Sequence, residues 1–144
     1  MLIILINLSA CQNFTFSQED LRKLKSTKIC PKCNLQNTNL YKLDLSNANL
    51  SKANLTNSNL SDTVLWDADL KGAILIDADL SNANLQYSDL RKANLKGSDL
   101  SQADLSGATL TDVNLDNVVL CHTNMPDGKE TTLIVVAQTF TMQI

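Results

Sequence analysis

The chain has 144 residues and a formal net charge of −3, with 44% apolar but only 4% aromatic residues. This fits one domain with a leucine- and alanine-rich core, and the lack of a basic surplus argues against direct nucleic-acid binding. One histidine, without a Ser-His-Asp or Cys-His grouping or a glycine-rich phosphate loop, predicts a protein that is not an enzyme and uses no cofactor or metal.

The first 16 residues form a hydrophobic N-terminal segment. Within it, Leu8-Ser9-Ala10-Cys11 looks like a bacterial lipobox, which makes Cys11 a candidate for lipidation and membrane anchoring. The segment lacks a basic n-region and is shorter than a normal signal peptide, so a truncated start or a plain hydrophobic tail stays open. We expect export, to the periplasm or a thylakoid lumen; without a signal the protein would be cytoplasmic.

A short capping helix is predicted next, over residues 18–26. Ser17 and Asp20 have the spacing of a capping box, and Phe16 and Leu21 that of a hydrophobic staple. We expect this helix to cover the first coil of the domain that follows. Its polar side is basic, which indicates either a docking patch or, as we favour, a solvated helix face; the residues are Arg22, Lys23 and Lys25.

Cys30 and Cys33 form a CxxC pair, which could be a disulfide, a redox centre or half of a zinc site. Leucine recurs at every fifth position from Leu35 onward, and extending this register backwards places both cysteine side chains inward at one corner. A disulfide fits this best, with two buried free thiols as the competitor. Zinc would need Cys121 and His122, about four coils away, and a thioredoxin-like role lacks its βαβ setting.

Residues 33–125 carry a repeat of period five. Leucine recurs at every fifth position from Leu35 to Leu120 without an insertion, with a small residue two positions before it and usually Asn or Asp one position before it. This period matches neither a helix nor a strand. It predicts a coiled solenoid in which the leucine (position i) and the small residue (i−2) point inward, while positions i−1, i+1 and i+2 face solvent.

The repeat resembles the pentapeptide-repeat family, whose signature A(D/N)LXX stands here as Ala48-Asn49-Leu50, Ala68-Asp69-Leu70 and Ala103-Asp104-Leu105. The resemblance implies an all-β solenoid, a right-handed quadrilateral β-helix with four pentapeptides per coil and about four and a half coils. The N-terminal helix, the CxxC pair and the residues near Met125 also look similar to exported cyanobacterial and thylakoid-lumen members, whose functions are mostly unassigned.

Residues 126–144 are predicted to form a C-terminal turn and an apolar tail. Met125-Pro126-Asp127-Gly128 ends the repeat, and the tail alternates apolar residues up to Ile144. Covering the end of the solenoid is the expected role, although an exposed strand stays open. The predicted segments are 1–16 (hydrophobic N-terminus), 17–32 (capping helix and CxxC linker), 33–125 (β-helix) and 126–144 (turn and tail).

The outward positions hold the candidate interaction surface. Val64 and Trp66 are apolar there, and Trp66 is the best single anchor for a partner protein, unless it merely covers its neighbours. Asp79 and Asp99 form the least compensated acidic pair. We therefore expect a rigid protein-interaction scaffold; the identity of the partner and the oligomeric state stay open.

The alternative function is suggested by relatives that mimic DNA, bind gyrase and protect it from quinolones. That reading expects a continuous acidic stripe. Residues 33–122 contain eleven Asp and six Lys or Arg, and Lys71 and Arg91 lie where they would neutralise Asp69 and Asp89. The charge pattern therefore weakens the alternative.

Overall fold

A computed structural model describes residues 17–131 and the backbone of residues 135–136. Helix α1 spans Gln18–Thr27, and strands β1 (Val119–Leu120) and β2 (Val135–Val136) pair antiparallel. Between α1 and β1 the chain forms a ladder of parallel bridges, each joining residues 20 positions apart, from Ile29 with Asn49 to Asp104 with Asn124. Four pentapeptides therefore make one coil, as the resemblance implied, and the ladder starts one repeat before the predicted residue 33.

The inside of the coils is filled by the i and i−2 side chains. The leucines from Leu50 to Leu90 are fully buried, and the alanines at i−2 are at most 1% exposed over the same stretch. Where serine replaces alanine, its hydroxyl donates to the carbonyl oxygen three residues earlier, as from Ser58 to Leu55 over 2.7 Å. No buried side-chain N or O atom of the described residues lacks a hydrogen-bond partner. The core is therefore close-packed, and its buried polar side-chain atoms are all hydrogen-bonded.

Each corner of the square is a tight turn between positions i and i+3. The amide of Ala53 donates to the carbonyl oxygen of Leu50 over 3.0 Å, and Lys52 between them has a φ of 59°. A positive φ at the third turn residue alone is typical of a type II turn, which favours Gly, Asn and Asp there. Lysine, glutamine and tyrosine also occupy this position in the chain, at a conformational cost of about 1 kcal/mol each.

At most sides Asn or Asp occupies position i−1 and closes a second small hydrogen-bonded ring. The Oδ1 atom of Asn59 accepts from the amide of Ser61 over 2.9 Å, and Asp79 accepts from Ser81 over 3.0 Å in the same way. The contact requires a short carboxamide or carboxylate side chain two residues before the amide that donates to it. The aspartate spacing is therefore a feature of the turns.

Helix α1 lies over the first coil. The Ser17 hydroxyl accepts from the amide of Asp20, as a capping box requires. The reciprocal hydrogen bond of the box, from the Ser17 amide to the Asp20 side chain, is replaced by other contacts. The Asp20 carboxylate instead accepts from the amide of Asn34 over 2.8 Å, and the Ser17 amide donates to the Asn34 carbonyl over 2.9 Å. Leu24 is fully buried. Phe16, the predicted staple partner, lies outside the described residues.

At the other end the chain turns back on the last coil. The amide of Gly128 donates to the carbonyl oxygen of Met125 over 2.8 Å, and Asn124 then bridges Glu130 in antiparallel fashion. The predicted stop of the repeat is therefore a reversal of the chain. The tail residues 137–144 lie outside the described residues. In the part of the chain that the structure describes, no helix is long and apolar enough to cross a membrane.

Candidate functional site

Two aromatic rings share one outer corner of the solenoid, which we call the aromatic corner (residues 66–67, 86–87 and 106–107). Trp66 follows Leu65 directly, and Tyr87 lies two residues after Leu85, one coil further along. Their ring centroids are 6.3 Å apart at an interplanar angle of 76°, an edge-to-face contact. Trp66 is 40% and Tyr87 61% exposed, so each ring touches the other and still faces solvent.

Gly107 holds the next position on the same corner and lies under the tyrosine ring. A Cβ atom added to Gly107 would come within 2.7 Å of Cδ1 and Cε1 of Tyr87, and Gly107 has a φ of +71°. Both the bare backbone and the left-handed conformation therefore favour glycine here. The ring of Tyr87 rests on the next coil because that coil carries no side chain at this point.

The substitution Gly107→Ala is expected to lower the free energy of unfolding by about 1 kcal/mol from the strained φ alone. A further loss should come from displacing the Tyr87 ring. A double-mutant cycle by chemical denaturation separates the two, because in a Tyr87→Ala background only the backbone cost should remain. Equal losses in both backgrounds would show that the ring does not rest on Gly107.

The predicted surface residues fall into two groups. Val64 is 37% exposed and shares its side of the square with Trp66 and Tyr87. Asp79 and Asp99 are paired by a backbone β-bridge on the preceding side of the square, away from the aromatic corner. Sequence reasoning missed Tyr87, although the register places it one coil beyond Trp66 on the same corner.

The side that carries these apolar residues is acidic. We define the anionic face as residues 61–67, 81–87 and 101–107, which contain Asp62, Asp67 and Asp104 but no Lys or Arg. Burial raises the pKa of Asp104, but hydrogen bonds from Ser106, Gln86 and Asn124 outweigh it, so the pKa of this carboxyl lies below its ordinary value. Most of the nearby basic residues lie at the corner that follows (Lys52, Lys71, Arg91 and Lys92), whereas Lys96 lies at the opposite corner and Lys42 lies one coil before Asp62 and interacts with it.

That following corner neutralises its own aspartates. The guanidinium Nε of Arg91 donates to both carboxylate oxygens of Asp89, over 2.8 Å and 3.0 Å, and holds the pKa of that carboxyl below its usual value. Asp69 stacks directly on Asp89, and its charge favours the protonated Arg91. The acidic column is thus interleaved with cations, as the sequence indicated.

Asp44 lies at the edge of the anionic face, in the same column as Val64. The Ser46 hydroxyl and amide and the Lys28 ammonium lower the pKa of Asp44 to about 2. Because its pKa is lowered in the folded state, the carboxylate stabilises the fold above pH 4, and this contribution is lost as the pH falls towards 2. Carboxyl-carbon NMR titration should show that Ser46→Ala raises the Asp44 pKa, with Ser81→Ala as a control; an unchanged value would contradict the assignment.

The CxxC pair forms a disulfide beneath α1. Cys30 and Cys33 are joined through their sulfur atoms, both residues are buried, and Sγ of Cys30 lies 3.3 Å from the carbonyl oxygen of Asp20. A carboxylate oxygen of Asp20 and the two sulfurs all lie within 4.8 Å of one another. Sulfur atoms joined in a disulfide are not thiolates, so this group offers no thiolate ligand for a metal ion.

The remaining candidates are dispersed. Cys121 is a half-buried free thiol, and His122 is paired at 2.7 Å with Glu130 in the C-terminal reversal. Both lie at the far end of the ladder from the disulfide. The basic residues of α1 (Arg22, Lys23 and Lys25) are exposed. Cys11 lies outside the described residues.

Comparison with known families and structures matches the repeat. The sequence pattern of the family described as pentapeptide repeats (8 copies) covers residues 32–67, 65–102 and 98–127. No match was found among curated proteins.

Solved structures share the fold. HetL, a pentapeptide repeat protein involved in heterocyst differentiation regulation in the cyanobacterium Nostoc sp. strain PCC 7120, is 34% identical with a TM-score of 0.58; the match covers 67% of this chain and 42% of HetL. The chain thus spans less than half the length of HetL. A pentapeptide repeat protein of the Arabidopsis thaliana thylakoid lumen is 24% identical with a TM-score of 0.58, over 65% of this chain and 68% of that one.

The fluoroquinolone resistance protein QnrB1 is more distant, at 20% identity and a TM-score of 0.45 over 69% of this chain and 58% of its own. This likeness carries no functional argument. The family match and the neighbouring structures confirm the predicted β-helix solenoid and its right-handed form. On its repeats and its fold, the chain belongs to the pentapeptide-repeat family.

Proposed function

We propose that this protein is a non-enzymatic, rigid scaffold that binds a partner protein through the aromatic corner. Pentapeptide-repeat proteins are generally structural or interaction proteins. The ladder of bridges and the filled core support a surface that keeps its shape on binding. A preformed surface reduces the conformational entropy that association costs.

The observation that carries this proposal is the exposed pair of Trp66 and Tyr87. Aromatic side chains are enriched at the centres of protein interfaces, where they contribute most of the binding free energy. Only 4% of the residues in this chain are aromatic, yet two of them meet on one corner, exposed. The rings contact each other and still leave 40% and 61% of these residues exposed, which is apolar surface that a partner can cover.

Affinity capture from the source cells tests the proposal with two matched variants. Trp66→Ala removes the larger ring, and Ile76→Ala removes an apolar side chain at the equivalent position of the opposite corner. We expect Trp66→Ala to release a protein that wild type and Ile76→Ala both retain. Recovery of the same proteins by all three baits would defeat the proposal, provided that circular dichroism shows all three to be folded.

We also propose that the two ends of the solenoid are capped and that it has about four and a half coils plus the repeat holding Cys30. The ladder between residues 29 and 124 supports this length. The contacts of Ser17 and Asp20 with Asn34 support α1 as the first cap, since they occupy edge groups that would otherwise be open to pairing with another chain. The pairing of β1 with β2 supports a second cap.

We further propose that the protein works in an oxidising compartment, such as a periplasm or thylakoid lumen. The Cys30–Cys33 disulfide supports this, because such bonds are rare in the reducing cytosol. The hydrophobic sequence before Cys11 is consistent with export or a lipid anchor. Mass measurement of the protein from fractionated cells should find the disulfide intact; a cytoplasmic, fully reduced chain would contradict this localisation.

The charge pattern favours the scaffold over the DNA-mimicking, gyrase-binding alternative. A mimic of duplex DNA needs phosphate-like charges continuous along a face, whereas Arg91 interrupts the column of Asp69 and Asp89. We therefore expect no protection of gyrase from quinolones by micromolar protein in a supercoiling assay. Protection at that level would restore the alternative.

A further inference from the structure

We infer that the anionic face binds an arginine-bearing segment of the partner protein, with guanidinium groups stacked on Trp66 and Tyr87. This inference rests on the proposed scaffold function and specifies the chemistry of the partner. It combines three features of one surface: two exposed ring systems, nearby carboxylates, and no Lys or Arg within residues 61–67, 81–87 and 101–107, with Lys42 at the edge of the face beside Asp62.

The rings provide the first feature. A cation over the face of Trp or Tyr is attracted by the ring quadrupole, and a planar guanidinium also stacks. The chain shows a related contact on the neighbouring corner of the preceding coil, where the ammonium Nζ of Lys42 lies 4.9 Å from the ring centroid of Tyr41. Among the described residues that is the one cation placed over a ring, so Trp66 and Tyr87 have none.

The carboxylates provide the second feature. Asp67 follows Trp66 directly and is exposed, and Asp104 is half-buried on the same face, whereas Asp62 already interacts with Lys42 of the preceding coil. The lowered pKa of Asp104 keeps it ionised at neutral pH. Guanidinium groups pair with carboxylates through parallel hydrogen bonds, so each ring has an acidic neighbour of the sign that an arginine requires.

The charge distribution around the corner provides the third. Lys71 and Arg91 lie on the next corner of the same coils, where a cationic segment would be repelled and an acidic one attracted. The boundary between negatively and positively charged surface runs beside the aromatic corner. It therefore confines a cationic segment to the anionic face and excludes nucleic acid from it.

The geometry is prepared in advance. The Tyr87 ring lies against Gly107 and makes an edge-to-face contact with Trp66, so little side-chain freedom is left to lose on binding. A Tyr87 without this support would have to be ordered by the partner. The glycine on the neighbouring coil is thus part of the binding surface, although it offers no atom to the partner.

A capped peptide of six arginines is the probe, titrated into the full chain by isothermal calorimetry and by the fluorescence of Trp66, the single tryptophan. Removing both rings (Trp66→Ala with Tyr87→Ala) is expected to weaken binding by about tenfold or more. Asp67→Asn should weaken it by at least about twofold. A peptide of six lysines should bind less tightly, because ammonium groups do not stack.

Asp77→Asn is the matched control. Asp77 occupies the same turn position as Asp67 on the opposite corner, with the same φ of 53°, so both substitutions remove one charge from an equivalent backbone site. Asp77→Asn should weaken binding clearly less than Asp67→Asn does, by no more than about 1.5-fold from the small change in net charge. Equal losses for Asp67→Asn and Asp77→Asn, or equal binding of the two peptides with no effect of the rings, would overturn the inference.

Absence of any binding by the arginine peptide would also overturn it. The scaffold proposal fails separately, if affinity capture shows no dependence on Trp66. Capture that depends on Trp66, without binding of the arginine peptide, would leave the scaffold standing and refute only the partner chemistry. Circular dichroism and denaturation midpoints close to wild type ensure that each variant is compared in its folded state.

Discussion

Replacing Leu75 by alanine is expected to lower the free energy of unfolding by about 3 to 5 kcal/mol, the largest effect of any single change we predict. Leu75 is fully buried in the middle of the ladder, with leucines of the same column one coil before and after it. The narrow core cannot collapse around the missing atoms, because the flanking coils are held by backbone hydrogen bonds such as that from the Leu75 amide to Asn94, 2.7 Å long.

Leu110→Ala is the control, since Leu110 holds the same repeat position but is only partly buried in the last coil. It should cost about half as much. Chemical denaturation gives the energies, and hydrogen exchange should show lost protection centred on the coils next to Leu75, because repeat proteins depend on nearest-neighbour contacts. Equal costs for the two substitutions would contradict the expected gradient of burial.

Loss of the disulfide is the second large effect. A cross-link between residues three apart closes a very short loop, for which the chain-entropy model gives about 2 kcal/mol. Replacing Cys30 and Cys33 by alanine should therefore destabilise the protein by about that amount and increase hydrogen exchange in α1, whose Asp20 carbonyl contacts the sulfur of Cys30.

Cys121→Ala is the matched control, because Cys121 is a free thiol at the other end of the ladder. Its effect on the free energy of unfolding should be within about 0.5 kcal/mol for a partly exposed residue. Adding a thiol reductant to wild type should reproduce the loss seen in the double variant, and the double variant itself should not respond. A wild-type midpoint that ignores the reductant would show that the bond does not stabilise the fold.

The sequence alone predicted the inside and outside of this protein. A period of five fits neither a helix nor a strand, so the ladder from Leu35 to Leu120 left only a coil of short sides, with leucine and alanine inward. Because every residue then has a fixed place in the register, the exposure of Val64 and Trp66 followed too. The local signals at Ser17 and Asp20 likewise predicted a helix that was found only one residue longer.

Several contacts came from the tertiary structure only. The Asp20 carboxylate contacts Asn34 instead of completing its capping box, because stacking α1 on the first coil offers it a free edge amide. The role of Asn and Asp at i−1 also became visible only once the turn brought the amide two residues later within 3 Å of Oδ1. The repeat motif shows which residues are favoured at i−1, but it does not show the hydrogen bond that favours them.

At the aromatic corner, sequence and tertiary structure determined different features. The repeat by itself determined that Trp66 faces solvent and that the coils are narrow. Only the tertiary structure decided that Tyr87 leans across one coil to meet Trp66 and rests on Gly107. The physical reason is that the direction of a side chain at a left-handed turn residue depends on what the adjacent coils place beside it, and those neighbours are 20 residues away along the chain.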